Sequence, residues 1–190
     1  MNPLLAVILC GGESRRMGRD KGLLPKDDLI RASWMAAKLQ SFQVPVCYSV
    51  RPSQLPDYQA RIPEGRFITD HPEAFAGPLR GLFSIHRELP VADLLLLACD
   101  MLDLDEATIA NVIDQYRAGG YEFYVYREGA FAQPFCGIYT SAGLSAACDR
   151  AISHAVRDAS LQSLLKAGRT KWLPVTRPEA FGNYNTPDAG

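Results

Sequence analysis

The sequence predicts a single three-layer α/β domain with a mainly parallel sheet that spans residues 1–190. Two apolar runs, at 4–10 and 93–100, have the composition of strands covered on both faces. Segments with helical periodicity alternate with the strands, as in folds in which helices cover both sides of a parallel sheet. No repeat, low-complexity tract or linker divides the chain, and its length fits one domain.

The first half of the chain predicts strand, loop, helix and strand. The run at 4–10 ends at Gly11-Gly12, and a helix is expected over 28–42, with Asp27 or Asp28 as its cap. A second strand is expected at 44–50 and a short one at 67–68. The stretch 51–66 contains several Pro, Gln and Arg residues and is expected to be irregular.

The second half repeats this alternation. A helix is expected over 77–88, the clearest central strand at 93–100, and a helix over 105–118 that ends at Gly119-Gly120. Paired strands at 123–126 and 135–139 flank the polar turn 127–129. A helical region over 142–167, broken near Arg157-Asp158, and a last strand at 172–175 complete the prediction.

Composition and charge exclude several classes of protein. Hydrophobic residues make up 47% of the chain, so a disordered or fibrous protein is excluded. The net charge of −1 gives no general attraction to nucleic acid or to an anionic membrane, and the first apolar run is too short to span a bilayer. The five cysteines are odd in number and lack C-x-x-C spacing. We therefore expect reduced, mostly buried thiols in a cytoplasmic protein without nucleic-acid or membrane partners.

The segment that follows the first strand predicts a phosphate site. Two glycines allow the backbone to approach a ligand and to direct amide groups at an anion. Basic residues are concentrated immediately after them, although the whole chain is slightly acidic. Together these donors suit a triphosphate, because they stabilise the charge that develops on phosphorus. The residues concerned are Leu9, Cys10, Gly11, Gly12, Arg15, Arg16, Arg19 and Lys21.

The spacing of this segment excludes two common phosphate loops. It has neither G-x-x-x-x-G-K-[ST] nor G-x-G-x-x-G, so it is neither a Walker loop nor a dinucleotide fingerprint. Gly11-Gly12 alone would suit an ordinary turn followed by solvated charges. The whole segment favours phosphate binding, because it leaves the first strand of an α/β sheet at the edge where such ligands bind.

Asp100 is the candidate ligand for a metal ion. It ends the central apolar run, so its carboxylate is expected at the carboxyl edge of the sheet. Mg²⁺ is commonly held by one or two carboxylates together with substrate phosphates. The alternative is an aspartate that caps the next turn. His71, His86 and His154 have no spacing typical of metal ligands and are expected to be structural or surface residues.

Taken in order, the motifs resemble those of the molybdenum cofactor guanylyltransferases. The pattern L-x-G-G-x-S-x-R-M-G-x-D-K-x-L-L covers 9–24, and G-P-L-x-G follows Asp70 at 77–81. A-C-D-M at 98–101, Q-P-x-x-G-I-Y at 133–139 and F-x-N-x-N-T-P at 181–187 extend the likeness over nearly the whole chain. The resemblance implies a nucleotidyltransferase (Rossmann-like) architecture and transfer of GMP from GTP to molybdopterin or the molybdenum cofactor.

The resemblance also implies a role for each candidate residue. Arg16, Lys21 and Asp100 would be catalytic, and Asp100 would also hold Mg²⁺. Asp70 would contact guanine through the N1–H and N2–H₂ edge, although by itself it suits a turn. Other cofactor-biosynthesis or acceptor proteins would be possible partners. The nucleotide site would comprise Leu9, Cys10, Gly11, Gly12, Lys21, Asp70 and Asp100, and the molybdopterin site Asn183, Asn185 and Thr186.

Some positions depart from the family pattern. Pro25-Lys26-Asp27-Asp28 stands where relatives commonly have a G-K-P turn, and Leu102 stands where they usually have proline. From the residues alone, Asn183 to Pro187 suits an ordinary turn as well as a pterin or phosphate site. Two alternatives therefore stay open: another nucleotidyl transfer, to molybdopterin from CTP or to a sugar or alcohol phosphate, and a nucleotide-binding module without catalytic activity.

Overall fold

Nine strands form in the part of the chain that the structure describes. A computed structural model describes residues 2–10, 20–70, 78–154, 160–182 and 184. The strands are β1 (Leu4–Leu9), β2 (Pro25–Lys26), β3 (Leu29–Ile30), β4 (Val46–Val50), β5 (Phe67–Thr69), β6 (Asp93–Ala98), β7 (Phe123–Glu128), β8 (Phe131–Tyr139) and β9 (Thr170–Pro174).

Seven of these strands form one sheet in the order β5-β4-β1-β6-β8-β7-β9. Strand β8 is antiparallel to both of its neighbours, β6 and β7, and the other pairs are parallel. The central strand β1 is mainly buried and β6 is wholly buried, and apart from Asp93 both consist of apolar residues, which is the composition of strands covered on both faces. The predicted mainly parallel sheet is therefore confirmed.

Helices cover both faces of the sheet. They are α1 (Arg31–Ala37), α2 (Leu55–Arg61), α3 (Pro78–Glu88), α4 (Glu106–Arg117), α5 (Ser141–His154) and α6 (Leu161–Ala167). Side chains of α1, α2 and α4 join one buried cluster, and those of α3, α5 and α6 join another. Alternate residues of β1 face the two clusters, Ile8 the first and Val7 the second. The three-layer α/β domain is thus confirmed. No helix among the described residues has the length and apolar character needed to cross a membrane.

The helix predicted over 28–42 is much shorter than expected. A small hairpin of β2 and β3 precedes it, and Asp27 in the turn has a φ of 51°. Aspartate tolerates this left-handed conformation better than most residues do, which allows the chain to reverse before the helix begins. Helix α1 is capped by Ile30 without a side-chain hydrogen bond, so the cap expected from Asp27 or Asp28 is wrong.

The irregular stretch predicted over 51–66 is also wrong, because it contains α2. Pro56 lies in the first turn of this helix, where a missing backbone N–H breaks no helical hydrogen bond. Tyr58 is fully buried against the sheet. Further along the chain, α5 and α6 confirm the two parts of the helical region expected over 142–167, and the break expected near Arg157-Asp158 lies outside the described residues.

Asp93 joins the layers on both sides of β6. Its buried carboxylate accepts hydrogen bonds from the Tyr116 hydroxyl of α4 at 2.7 Å and from the Ser141 backbone N–H of α5 at 2.7 Å. The Asn2 side-chain amide donates a third at 3.2 Å. A buried carboxylate is costly unless it is hydrogen-bonded, so these donors are needed where β6 begins.

Replacing Tyr116 with phenylalanine tests this junction. We expect Tyr116→Phe to lower the free energy of unfolding by about 1–3 kcal/mol, because it leaves a buried acceptor without one donor. Urea denaturation followed by circular dichroism measures the change. The control is Tyr121→Phe on a more exposed tyrosine, expected to change stability by less than about 0.5 kcal/mol. Equal losses in the two variants would contradict the role given to Asp93.

Candidate active site

The candidate site lies where β1 and β6 end beside each other. Leu9 is paired with Ala98 in parallel register, and the Cys99 N–H donates to the Leu9 carbonyl at 3.3 Å. The Cys10 N–H donates to the Ser49 carbonyl of β4 at 2.9 Å. The residues that follow β1 and β6 therefore leave the sheet at the same carboxyl edge, which is where ligands bind in open α/β sheets.

Lys21 and Asp100 form an ion pair at this edge. The Lys21 Nζ lies 3.1 Å from the Asp100 Oδ2, and the two side chains are 25% and 14% exposed. Among the described residues, no group of three or more His, Cys, Asp or Glu side chains gathers as a metal cluster. A single accessible carboxylate fits a hard cation that takes most of its other ligands from phosphates and water.

Asp20 fixes the turn that carries Lys21. Its Oδ1 accepts from the Gly22 N–H at 3.0 Å and from the Tyr58 hydroxyl at 2.8 Å. Its Oδ2 accepts from the Gln54 side-chain amide. These contacts cap the short 3₁₀ helix Lys21–Leu23 and attach it to α2. No role was expected for Asp20, Gln54 or Tyr58, although Gln54 and Tyr58 have helical i, i+4 spacing.

The side chains packed against this turn, Tyr58 and Cys10, are closely packed and uncharged. A Cβ atom on Gly22 would lie 2.1 Å from the Tyr58 hydroxyl oxygen, so the close approach requires glycine. Burial raises the pKa of the Cys10 thiol, and a hydrogen bond with Cys99 adds to this effect. Burial also raises the pKa of Tyr58. The Cys10 thiol and the Tyr58 hydroxyl therefore stay neutral at physiological pH, and the charges at this edge of the sheet belong to Asp20, Lys21 and Asp100.

A second group of residues gathers around Asp70, just beyond β5. The Asp70 Oδ1 lies 3.4 Å from the Ser49 hydroxyl, which donates to it. Gly81 lies beneath, where a Cβ atom would be 2.8 Å from the Ser49 Oγ and 3.4 Å from both the Asp70 Oδ1 and the Leu9 Cδ2. Two separate predicted site residues, Leu9 and Asp70, are thus brought together around Gly81.

The carboxyl group of Asp70 is partly desolvated. Burial raises its pKa, and three weaker effects oppose this: the Ser49 hydrogen bond and the charges of Arg80 and Arg51. A half-buried carboxylate of this kind is ready to accept hydrogen bonds from a ligand that replaces its water.

Comparison with known proteins identifies the family. The model of the MobA-like NTP transferase domain matches residues 6–172. The chain belongs to this family. A molybdenum cofactor guanylyltransferase from Shewanella baltica is 26% identical over an alignment that covers 96% of this chain and 91% of the relative. A molybdenum cofactor biosynthesis bifunctional protein from Synechocystis is 29% identical over 144 residues, 75% of this chain but only 40% of that longer protein.

Solved structures show the same fold. Molybdopterin-guanine dinucleotide biosynthesis protein A from Archaeoglobus fulgidus superposes with a TM-score of 0.76 at 20% identity, covering 96% of this chain and 93% of that one. A Mycobacterium tuberculosis protein in complex with manganese has a TM-score of 0.62 at 15% identity, covering 91% and 88%. Family membership makes this chain a nucleotidyltransferase-type enzyme, and enzymes of this kind generally use a divalent metal ion.

Several of the expected site residues lie outside the described part of the chain. These are Gly11, Gly12, Arg15, Arg16, Arg19, Asn183, Asn185 and Thr186, and His71 also lies outside that part. Of the segment that resembles the family's N-x-N-T-P motif, the structure describes Tyr184. Its backbone N–H donates to the Asp100 carbonyl at 3.0 Å.

The structure describes the two positions at which the sequence departs from the family pattern, the stretch that begins at Pro25 and Leu102. Pro25 to Ile30 form the β2-β3 hairpin in place of a G-K-P turn. Leu102 is buried, and its carbonyl accepts from the Lys38 Nζ at 3.0 Å. Lys38 also lies over the Trp34 ring, and burial lowers its pKa. The loop after Asp100 is therefore held by the C-terminal end of α1.

His86 is buried and contacts Ser145 at 3.0 Å, which confirms a structural role.

Removing the Tyr58 hydroxyl tests the support of the Lys21 turn. We expect Tyr58→Phe to lower the free energy of unfolding by about 1–3 kcal/mol, because Asp20 loses a buried donor. Tyr48→Phe is the control: its ring also packs against Phe67, but its hydroxyl makes no hydrogen bond to the described residues. Chemical denaturation measures the free energy of unfolding of both variants. If Tyr48→Phe loses as much stability as Tyr58→Phe, the hydrogen bond from Tyr58 to Asp20 does not support the turn.

Proposed function

We propose that this chain transfers GMP from GTP to molybdopterin or the molybdenum cofactor, with release of pyrophosphate. The observation that carries the proposal is the Lys21–Asp100 pair at 3.1 Å, at the sheet edge where the Gly-rich segment begins. A cation and a carboxylate at this edge suit phosphates and a metal ion. The names of the family's curated relatives support guanine as the base and the molybdenum cofactor as the acceptor.

The proposed nucleotide site extends from the phosphates to the base. Leu9, Cys10, Gly11, Gly12 and Lys21 would surround the phosphates and sugar. Asp70 would accept hydrogen bonds from the N1–H and N2–H₂ groups of guanine. Its proximity to Leu9 through Gly81 supports one continuous site.

The protein's part in the reaction is positioning and charge stabilisation. A terminal phosphate oxygen of the acceptor attacks the α-phosphorus of GTP in line with the departing pyrophosphate. Lys21 and Arg16 neutralise the charge on the leaving group. Asp100 would hold Mg²⁺, which when bound supplies further charge neutralisation at the phosphate oxygens. Lys21 pairs with Asp100 through a partly exposed contact, so its ammonium could exchange that carboxylate for a phosphate oxygen of the substrate.

The remaining assignments concern the acceptor and the cell. Asn183, Asn185 and Thr186 would bind molybdopterin, and other cofactor-biosynthesis or acceptor proteins would be the partners that supply or receive the cofactor. A cytoplasmic location is part of the proposal and is supported by the five cysteines, which form no disulfide.

Incubation with GTP, Mg²⁺ and molybdopterin tests the function directly. We expect equal amounts of the guanine dinucleotide and pyrophosphate, measured by chromatography and a coupled pyrophosphate assay. Asp100→Asn is expected to reduce turnover by roughly 10²-fold or more, because the cation loses its protein ligand. Asp114→Asn, on the exposed face of α4, is the matched control and is expected to retain activity.

The same experiment separates the alternatives. Product from CTP and none from GTP would replace guanylyl by cytidylyl transfer. Transfer to a sugar or alcohol phosphate alone would replace the acceptor. Binding of GTP without any product, under conditions in which a Shewanella relative is active, would contradict an enzymatic role and favour a binding module.

Asp70→Asn tests the base site through stability and binding together. Because the folded pKa of Asp70 is raised, the folded protein holds more protons than the unfolded chain between the ordinary pKa near 4 and the folded value. The contribution of Asp70 to stability therefore decreases as the pH rises through that window. The asparagine variant lacks this decrease, so we expect a higher melting temperature than wild type at pH 7 without ligand.

Binding should change in the opposite direction. GTP affinity, measured by calorimetry, is expected to fall about 10–100-fold in Asp70→Asn, because hydrogen bonds to a charged acceptor are lost. Asp57→Asn on the exposed side of α2 is the control for removing one negative charge. Unchanged GTP affinity in Asp70→Asn would exclude Asp70 from the base site.

A further inference from the structure

Arg31 is a fully buried cation with a long-range contact. It is the first residue of α1, and its side chain is 0% exposed. Its Nη1 donates to the Tyr184 carbonyl at 3.0 Å, across 153 residues of sequence. Burying a guanidinium costs free energy unless it is well hydrogen-bonded, so Arg31 adds little net stability to the fold. What it provides is a fixed position for the backbone at Tyr184.

Tyr184 is held against the loop that carries Asp100. Its backbone N–H donates to the Asp100 carbonyl at 3.0 Å, and its hydroxyl donates to the Asp103 carboxylate. Together with Arg31, these contacts fix Tyr184 through its backbone N–H, its backbone carbonyl and its side chain. In sequence, Tyr184 lies between Asn183 and Asn185.

The contact of Arg31 completes a closed ring of interactions around the site. The Arg31 N–H donates to the Leu24 carbonyl at 2.9 Å, and the Leu24 N–H donates to the Lys21 carbonyl at 3.2 Å. The Lys21 ammonium pairs with Asp100 at 3.1 Å, and Asp100 accepts from Tyr184. The nucleotide end of the site and the C-terminal segment are therefore linked in both directions, through Asp100 and through Arg31.

We propose that Arg31 is a positioning residue for the acceptor substrate. Its side chain donates to the Tyr184 carbonyl, fixes the chain there relative to Asp100 and thereby sets the distance between the acceptor and the α-phosphorus. This inference rests on the proposed function, because it takes the segment around Tyr184 to be the acceptor side. Arginine suits the role because its rigid, planar guanidinium keeps one orientation when hydrogen-bonded.

Steady-state kinetics of Arg31→Met test the proposal. The variant keeps the length of the buried side chain and removes its donors. We expect the KM for molybdopterin to rise about 10-fold or more, the loss typical of one charge-assisted hydrogen bond, while the KM for GTP changes by less than about twofold. Arg117→Met, which removes an exposed arginine at the end of α4, is the control and should change neither KM.

Hydrogen exchange gives a second readout that requires no activity. In the ligand-free full chain, the Tyr184 amide is expected to exchange about 10-fold faster in Arg31→Met than in wild type or Arg117→Met. Arg31→Lys keeps a buried charge and a donor, and is expected to show the same two changes to a smaller extent. If Arg31→Met does not fold, Arg31→Lys decides the question.

The outcomes separate this inference from the proposed function. A wild-type chain that transfers no GMP would overturn the proposed function and, with it, the acceptor role of Arg31. If the wild type is active but Arg31→Met has an unchanged KM for molybdopterin, or an equal rise in the KM values for both substrates, only the positioning role is overturned. Unchanged exchange at Tyr184 would also overturn it.

Discussion

The parallel pairing of β1 with β6 is the constraint on which the rest of the site depends. Its register runs without interruption from Leu4 opposite Asp93 to Leu9 opposite Ala98. Because both strands run in one direction, the residues after Leu9 and Ala98 emerge together, and Asp100 lies beside the start of the Gly-rich segment. A shift of one residue would move every side chain of the shifted strand to the opposite face, where it would meet the other buried cluster, so close packing on both sides keeps this register fixed.

The hydrogen bonds of Asp20, rather than the ion pair with Asp100, hold Lys21 in place. Its ion pair with Asp100 is partly exposed, and such pairs contribute only about 0–1 kcal/mol. The Asp20 contacts are more enclosed: Gln54 and Tyr58 are buried, and each donates to the carboxylate. The turn is therefore positioned by Asp20, while the Lys21 ammonium is held weakly. Under the proposed function, this arrangement suits Lys21, whose ammonium would exchange the Asp100 carboxylate for a phosphate while its backbone stays in place.

The sequence predicted the layers and the chain order well, because long apolar runs and helical periodicity report burial directly. Its motifs placed Lys21 and Asp100 in one candidate site, and the structure brings the two side chains together as an ion pair, while their catalytic roles stay a prediction. It could not predict that Asp27 would take a left-handed conformation and shorten the first helix. Nor could it show that α2 would supply Gln54 and Tyr58 to Asp20, since that contact depends on how a helix of only seven residues packs against the sheet. The i, i+4 spacing of Gln54 and Tyr58 indicates a shared helix face but not the residue that this face contacts.

The two carboxylates have different neighbours, and under the proposed function the surroundings of Asp70 favour discrimination between bases. Asp100 is paired with a cation, whereas Asp70 is partly desolvated and its strongest perturbation is burial itself. Guanine would present N1–H and N2–H₂ donors to Asp70. Adenine presents an acceptor at N1 beside a single amino donor at N6, so it could pair with one carboxylate oxygen but would place its N1 lone pair against the other. A site whose polar group is left unpaired by the wrong ligand discriminates more strongly than one that only gains a contact with the right ligand. The desolvation that destabilises Asp70 in the free protein therefore contributes to selectivity when nucleotide binds.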